Sequence, residues 1–107
     1  MILTIIIPVF NEKNTIKEII RKINLQKNIE KQIILVDDGS DDGTTEIIKN
    51  ELLSKLDRVV FHQRNLGKGA AIISAKKFIK GDVIIIQDAD LEYDPKDYDR
   101  ILKAMSK

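Results

Sequence analysis

The sequence predicts a single α/β domain: a mostly parallel sheet with helices on both faces, built from four βα units. Short apolar runs rich in β-branched residues alternate along the chain with segments whose apolar residues recur at helical spacing. The length of 107 residues suits one domain. Strands that alternate with helices form parallel sheets through right-handed crossovers, which place helices on both faces.

The first half of the chain contains two βα units. Residues 3–8 and 32–36 are apolar runs that we expect to form buried strands. The helix between them has apolar residues at i, i+3, i+4 and i+7, namely Ile16, Ile19, Ile20 and Ile23. Thr15 and Glu18 have the spacing of a capping box at its start. The second helix carries Ile47, Ile48, Leu52, Leu53 and Leu56.

The second half contains two more units. Residues 58–62 and 83–87 are the third and fourth strands, and the unbroken apolar run of the fourth predicts burial on both faces. The third helix, over residues 69–79, carries Ala71, Ala75 and Phe78 on one stripe. Asp94 before Pro95 is a cap and first-turn signal for a last helix. That helix carries Tyr98, Ile101, Leu102 and Met105.

The composition of the chain argues against several classes of protein and of binding site. Lys and Arg number 18 and Asp and Glu 17, a balance that argues against a dedicated nucleic-acid-binding protein. The sequence has no cysteine, which excludes disulfides and zinc–thiolate sites in it. The apolar start, residues 1–9, is too short for a membrane span and lacks signal-peptide flanks. We expect no membrane segment in this chain and a cytoplasmic location, either free or at the cytoplasmic face of the membrane.

Polar clusters follow three of the predicted strands. They are Asn11-Glu12, Asp37-Asp38-Gly39-Ser40 and Asp88-Ala89-Asp90. Each cluster alone is also what an ordinary strand-to-helix turn requires. Because the carboxyl ends of parallel strands share one edge, the topology brings the clusters together where open α/β sheets bind ligands. Unpaired carboxylates are costly to bury, so Asp88 and Asp90 should be exposed there, suited to a divalent cation and a ligand hydroxyl.

Four motifs follow one another along the chain. They are Ile7-Pro8-Val9-Phe10-Asn11-Glu12, Val36-Asp37-Asp38-Gly39-Ser40-Asp41-Asp42-Gly43-Thr44, Asn65-Leu66-Gly67-Lys68-Gly69-Ala70-Ala71 and Asp88-Ala89-Asp90-Leu91-Glu92. In order and spacing the set resembles the N-terminal half of a family 2 glycosyltransferase with the GT-A fold, over essentially the whole chain. The form Asp-Ala-Asp-Leu-Glu is similar to the branch of dolichyl-phosphate mannose synthase and the polyprenyl-phosphate hexosyltransferases.

The resemblance implies a site for the nucleotide of a sugar donor. The matching donor-binding positions are Pro8, Phe10, Glu12, Asp38, Asp88 and Ala89. The first loop would hold base and ribose; Phe10 stands where related enzymes often carry Tyr, so stacking is kept without a phenol hydrogen bond. Asp38 would accept from a ring N–H of the base, and Asp37 would support the loop. Asp88 would contact the ribose or the metal shell.

The resemblance also implies a divalent cation, Mg²⁺ or Mn²⁺, that bridges the donor's diphosphate. Its candidate ligands are Asp90, Asp88 and Glu92. For Glu92, a solvated position before the last helix is an equal alternative. Lys68 lies in a glycine-flanked loop that could favour an anion, but we favour a tight turn with a solvated lysine. We expect His62 to be a packed strand residue, and Arg64 to lie on the surface or reach phosphate.

The implied reaction is inverting, metal-dependent transfer of a hexose from a UDP- or GDP-sugar, with a polyprenyl phosphate as one candidate acceptor. Complete family members continue past this chain, and their remaining half supplies the acceptor site and any catalytic base. We therefore assign no catalytic residue and expect residues 1–107 to be a donor-binding domain, inactive or nearly so alone. The uncovered strand edge of such a half favours a homodimer.

Other classes of protein share parts of this pattern. The pair Asp37-Asp38 after an apolar strand imitates a phosphoacceptor receiver domain, which instead carries its pair after the first strand and needs a fifth strand with a Lys. A P-loop NTPase is excluded because its Gly-x-x-x-x-Gly-Lys-[Ser/Thr] motif does not occur. A dinucleotide-binding fingerprint fails because Ile72 stands at the third-glycine position. The remaining alternative is a non-catalytic nucleotide- or metal-binding module, or an assembly domain, derived from the same fold.

Overall fold

The computed structural model describes residues 1–90 and 94–105, and it has the predicted α/β class. Its strands are β1 (Leu3–Val9), β2 (Lys31–Asp37), β3 (Arg58–Phe61) and β4 (Val83–Ile86). Its α-helices are α1 (Ile16–Asn24), α2 (Thr44–Ile47), α3 (Lys68–Lys76) and α4 (Tyr98–Met105). A π-helical turn (Ile48–Leu52) and a 3₁₀ turn (Leu53–Lys55) continue α2, and a second 3₁₀ turn (Pro95–Asp97) precedes α4.

The strands of this sheet run parallel in the order β3-β2-β1-β4. In β1, which is internal, Ile5 pairs with Ile33 on one side and with Ile85 on the other. The chain moves outward from β1 to β3 and then crosses back to place β4 on the opposite side of β1. The topological switch point therefore lies between β1 and β4, where open α/β sheets bind ligands outside the carboxyl ends of their strands.

Helices cover both faces of the sheet because successive strand residues point to opposite sides. On one face, alternate residues of β1 pack with the apolar stripe of α1: Leu3, Ile5, Ile7, Val9, Ile16, Ile19, Ile20 and Ile23. On the other face, α3 packs on the sheet through Ile6, Ile34, Val36, Ala71 and Ala75. Each fully buried isoleucine contributes about 1.5–3 kcal/mol, so these two layers hold firmly the sheet that carries the loops.

The capping box predicted at the start of α1 does not form. Thr15 occupies the N-cap position without a side-chain cap bond, and its hydroxyl donates instead to the Glu12 carboxylate at 2.9 Å. Glu18 pairs with Arg21, one turn further on. The Glu12 carbonyl accepts from the N–H groups of Thr15 and Ile16. The loop backbone, rather than a reciprocal pair of side chains, therefore closes the first turn.

The second helix is shorter and less regular than its apolar residues predict. It begins after Gly43, whose φ is +107°, and α2 gives way to the π-helical turn at Ile48. Ile48 and Leu52 are buried, but Leu53 is 48 % exposed because it begins a 3₁₀ turn that no longer follows the helical stripe. The predicted stripe therefore holds except at Leu53, since Ile47 and Leu56 also pack, partly buried, against the core.

The strand β4 is buried less completely than its apolar run predicts. Val83 is 8 % exposed, but Ile84 on the opposite face is 50 % exposed. The strand lies at an edge of the described sheet, and α3 packs mainly over β1 and β2. The described helices therefore leave part of one face of β4 uncovered.

The start of the last helix agrees with its sequence signal. The Asp94 carboxylate accepts from the N–H of Lys96 at 3.0 Å, and this bond lowers the pKa of Asp94. Tyr98 then lies in the core at 2 % exposure. Across residues 1–90 and 94–105, no helix is long and apolar enough to cross a membrane.

Candidate functional site

The three predicted polar clusters meet at the carboxyl end of the sheet. Together with the loop after β3 they line a cleft of about 300 Å³. Its lining residues are Pro8, Val9, Phe10, Glu12, Asp38, Asn65, Gly67, Lys68 and Asp88. Of the predicted donor-binding residues, all but Ala89 line this cleft. The structure thus brings residues from four strand-to-helix loops into one concave surface.

Hydrogen bonds join the loop after β1 to the loop after β2. The Asn11 N–H donates to the Ser40 hydroxyl at 3.0 Å, and the Asp41 N–H donates to the Asn11 side-chain oxygen at 2.8 Å. Asn11 has a φ of +54°, a left-handed conformation that asparagine tolerates well. The Glu12 N–H donates to the Thr44 hydroxyl at 3.0 Å. The two loops therefore behave as one unit that presents Glu12 to the cleft.

Phe10 and Asp37 in this unit have different surroundings. Phe10 presents a ring that is 44 % exposed at the cleft, a surface on which a planar base can stack. Asp37 is buried, and its carboxylate accepts from the Ser40 N–H at 3.1 Å and from the Thr45 hydroxyl. The supporting role predicted for Asp37 is therefore confirmed.

Asp38 anchors the loop after β3. It is 3 % exposed, and its carboxylate lies 2.8 Å from His62 Nδ1 and accepts from the N–H groups of Leu66 and Gly67, both at 2.8 Å. Burial raises the pKa of Asp38, but the hydrogen bonds from His62 and the two N–H groups outweigh burial and leave that pKa below its usual value. Asp38 is therefore ionised at neutral pH.

Gly39 lets the loop after β3 lie directly against the loop after β2. Its φ is +74°, and a Cβ there would lie 2.4 Å from the carbonyl carbon of Arg64 and 2.6 Å from the Asn65 nitrogen. Asn65 Nδ2 also donates to the Asp38 carbonyl at 3.4 Å. Both the left-handed backbone and the close approach require glycine at this position.

An ion pair crosses the cleft between α3 and the segment after β4. Lys68 Nζ lies 2.6 Å from Asp88 Oδ1, and the two side chains are 55 % and 26 % exposed. The lysine is half exposed, in keeping with the solvated position predicted for it, and it also forms this ion pair, which was not predicted. The pair joins the first residue of α3 to the segment after β4, a contact that the sequence pattern alone does not reveal.

The segment after β4 alternates between buried and outward-facing residues. Gln87 is buried and accepts from the Tyr98 hydroxyl at 2.6 Å. Ala89 is 3 % exposed and belongs to the hydrophobic core. Asp88 lies between these two residues and is partly exposed, and Asp90 follows Ala89 and is exposed. Both predicted metal-binding carboxylates therefore lie on the outer side of this segment.

The chemistry of these two carboxylates suits a hard divalent cation, which prefers oxygen ligands. The third predicted ligand, Glu92, lies outside the described residues. Within residues 1–90 and 94–105, no group of three or more His, Asp or Glu side chains is arranged to hold a metal ion. Because Mg²⁺ usually binds one or two carboxylates plus substrate phosphates, Asp88 and Asp90 still fit such an ion.

His62 is packed, as predicted, but it has a more specific environment than the sequence indicates. Its side chain is 8 % exposed, and its Nε2 lies 2.8 Å from the hydroxyl oxygen of Ser74 on α3. The ring thus lies between Ser74 and the Asp38 carboxylate. No spacing rule connects these three residues, so sequence reasoning missed the contact.

A larger depression, of about 500 Å³, lies at the opposite edge of the sheet. Two of its cations already have partners: Lys31 Nζ donates to the Gln26 carbonyl at 2.8 Å, and the Arg58 guanidinium lies 4.3 Å from the centre of the Phe78 ring. We assign the candidate site to the carboxyl edge, because that edge carries the switch point and the loops with outward-facing acids.

Known relatives fit this assignment. The family model for glycosyl transferase family 2 matches residues 4–107. The undecaprenyl-phosphate 4-deoxy-4-formamido-L-arabinose transferases of Aeromonas hydrophila and Edwardsiella ictaluri are 36 % and 37 % identical to this chain, over 96 % and 94 % of its length. The chain spans 33 % of the length of each of these relatives.

Solved structures resemble the chain in fold. A Pyrobaculum calidifontis mannosyltransferase in complex with GDP-Man and Mn²⁺ is 29 % identical, with a TM-score of 0.73 over 82 % of this chain and 27 % of that one. Residues 1–349 of S. aureus TarS superimpose with a TM-score of 0.81 over 99 % of this chain and 32 % of that one, at 24 % identity. The chain has the GT-A fold of these neighbours and belongs to glycosyltransferase family 2.

Proposed function

We propose that this chain binds the donor of a glycosyltransferase that transfers a hexose from a UDP- or GDP-sugar to a polyprenyl phosphate. The observation that supports this proposal is the cleft at the switch point, which combines an exposed ring, buried Asp38 and outward-facing Asp88. Relatives named as undecaprenyl-phosphate transferases favour a polyprenyl-phosphate acceptor, although the sugar in their name is an arabinose derivative, a pentose. A neighbour bound to GDP-Man favours a hexose donor. A location at the cytoplasmic face of a membrane would suit such an acceptor.

The nucleoside would occupy the side of the cleft formed by the first two loops. Phe10 would stack on the base, and Pro8 and Glu12 would contact base or ribose. Asp38 accepts three hydrogen bonds within the protein. The two oxygens of a carboxylate offer about four acceptor positions. One position therefore remains for a ring N–H of the base.

The diphosphate would lie toward Lys68, Asp88 and Asp90. Asp90 and Asp88, with Glu92 as a further ligand, would hold Mg²⁺ or Mn²⁺. When bound, the ion would supply charge stabilisation for the departing nucleoside diphosphate. Lys68 already neutralises Asp88 at 2.6 Å, and its cation would also attract the phosphates. Lys68 and the acids that would hold the ion thus place positive charge beside the negatively charged leaving group.

Transfer would proceed with inversion at the anomeric carbon, by a single displacement. A phosphate acceptor is already an oxyanion and requires no general base, whereas a sugar hydroxyl would require one. In this proposal residues 1–107 supply donor binding only, and the acceptor site belongs to the part of the relatives that lies outside this chain's match.

Calorimetric titration tests the proposal. UDP, GDP and their hexose conjugates are titrated with Mn²⁺, with Mg²⁺ and with EDTA into the wild type, Asp90→Asn and the control Asp99→Asn. Asp99 is an acid of α4 that pairs with Lys103, so its variant changes the charge equally outside the cleft. We expect metal-dependent binding of one nucleotide that is weakened about tenfold or more only in Asp90→Asn. Equal weakening in Asp99→Asn, or binding indifferent to metal, would contradict the metal assignment.

A further inference from the structure

A buried chain of hydrogen bonds connects α3 to the cleft. Asp38 Oδ1 lies 2.8 Å from His62 Nδ1, and His62 Nε2 lies 2.8 Å from Ser74 Oγ. The side chains of His62 and Asp38 are only 8 % and 5 % exposed. The three residues come from β2's end, β3's end and α3, so the chain of bonds exists only in the folded protein.

The charge of Asp38 fixes the direction of these bonds. An ionised carboxylate only accepts hydrogen bonds, so His62 Nδ1 must carry the proton that it shares with Asp38. In the neutral ring, Nε2 is then the acceptor, and the Ser74 hydroxyl donates to it. The arrangement therefore selects one tautomer of the ring, with Ser74 at its outer end.

The orientation of the Asp38 carboxylate also fixes the loop that forms one wall of the cleft. The same carboxylate accepts from Leu66 and Gly67, whose N–H groups belong to the loop that leads into α3. Gly67 and Lys68 line the cleft, and Lys68 reaches Asp88 across it. A rotated Asp38 carboxylate would release the two N–H groups and move the lysine.

We propose that His62, oriented by Ser74, is a positioning residue: it sets the orientation of the Asp38 carboxylate and, through it, the loop at 66–68 that forms one wall of the nucleotide cleft. This inference rests on the proposed function for its effect on nucleotide affinity. His62 does not itself contact the nucleotide, because both ring nitrogens already have partners and the ring is buried.

His62 is the only histidine of the sequence, so ring ¹⁵N NMR reports on this residue alone. We expect the neutral tautomer with the proton on Nδ1 in the wild type and in Ser74→Ala, and a shifted Nε2 resonance in Ser74→Ala because that nitrogen loses its hydrogen bond from Ser74. The neutral tautomer with the proton on Nε2 in the wild type would overturn the proposal, as would an Nε2 resonance in Ser74→Ala unchanged from the wild type.

Nucleotide affinity separates positioning from general stability. His62→Asn keeps an N–H close to the position of Nδ1, whereas His62→Leu removes it. We expect His62→Leu to bind the nucleotide about tenfold more weakly or worse, and His62→Asn to stay within about threefold of the wild type. Thr4→Val removes two hydrogen bonds away from the cleft, from the Thr4 hydroxyl to Gln32 and from the Gly81 N–H to that hydroxyl. It serves as a control for lost stability and should bind normally.

Two results would overturn the inference: unchanged affinity in folded His62→Leu, or equal loss of affinity in Thr4→Val. If the wild type binds no nucleotide, the proposed function fails, and the amide shifts of Leu66 and Gly67 still decide the positioning role. The inference expects both amides to shift in His62→Leu and to be restored in His62→Asn. Amides that are unaffected by His62→Leu would contradict it.

Discussion

Replacing Asp38 with Asn tests how the cleft is held together. The carboxylate makes three contacts of 2.8 Å, with His62 Nδ1 and with the N–H groups of Leu66 and Gly67. An amide keeps one oxygen and places an NH₂ group where the other oxygen accepted a bond. At least one donor is then left facing another donor, and the remaining bonds lose their charge.

The expected cost follows from these contacts. A hydrogen bond to a charged group contributes about 1.5–3 kcal/mol, and an unpaired buried donor costs about 1–3 kcal/mol. Because the two effects overlap, we expect Asp38→Asn to lower the free energy of unfolding by about 3 kcal/mol in total. The exposed neighbour Asp41 is a matched control, and Asp41→Asn should change that free energy by no more than about 0.5 kcal/mol.

The stabilisation by the Asp38 carboxylate should decrease when the pH is lowered. The pKa of Asp38 is lowered in the folded chain, so its contribution is complete above the unfolded value of about 3.9. It is lost as the pH falls from there through the folded pKa. Urea unfolding followed by circular dichroism should show a large gap between wild type and Asp38→Asn at pH 7 that narrows below about pH 4. A gap under about 0.5 kcal/mol at pH 7 would mean that the Asp38 carboxylate does not hold these three donors.

Three further substitutions have expected outcomes in urea unfolding. Gly39→Ala should cost about 2–4 kcal/mol, because φ is +74° and the new Cβ would meet the Arg64 backbone at 2.4 Å; a cost below about 1 kcal/mol would contradict the close approach. Thr4→Val should cost about 1–3 kcal/mol, because it leaves the Gly81 N–H without its 2.9 Å acceptor; unchanged stability would exclude that bond. Tyr98→Phe should cost about 1–2 kcal/mol through its lost 2.6 Å bond to Gln87; a transition unchanged from the wild type would argue against it.

The features predicted correctly from the sequence depend on local pattern and on topology. The alternation of strands and helices gave the parallel sheet, and the shared carboxyl edge placed Asn11, Asp38 and Asp88 on neighbouring loops. Periodicity gave the buried stripe of α1 because every residue in it faces the same sheet. These inferences need only the chain direction and the side-chain period.

The features that were missed depend on which elements become neighbours in space. Burial of Ile84 could not be judged without knowing that β4 lies at an edge. The Lys68–Asp88 pair and the contact between His62 and Ser74 join different elements through tertiary packing. The spacing of Thr15 and Glu18 permits a capping box, but Glu18 pairs with Arg21 instead.

We propose that the outward-facing acids after β4 hold a divalent ion together with a nucleoside diphosphate. Paramagnetic broadening of amide NMR signals by Mn²⁺, with saturating UDP or GDP, tests it most directly. We expect the amides of residues 88–90 and of Lys68 to broaden first, while those of Ile2 and Lys31 at the opposite edge keep their intensity. Broadening centred on the acids of α4, or spread evenly over the chain, would exclude a metal site at the end of β4.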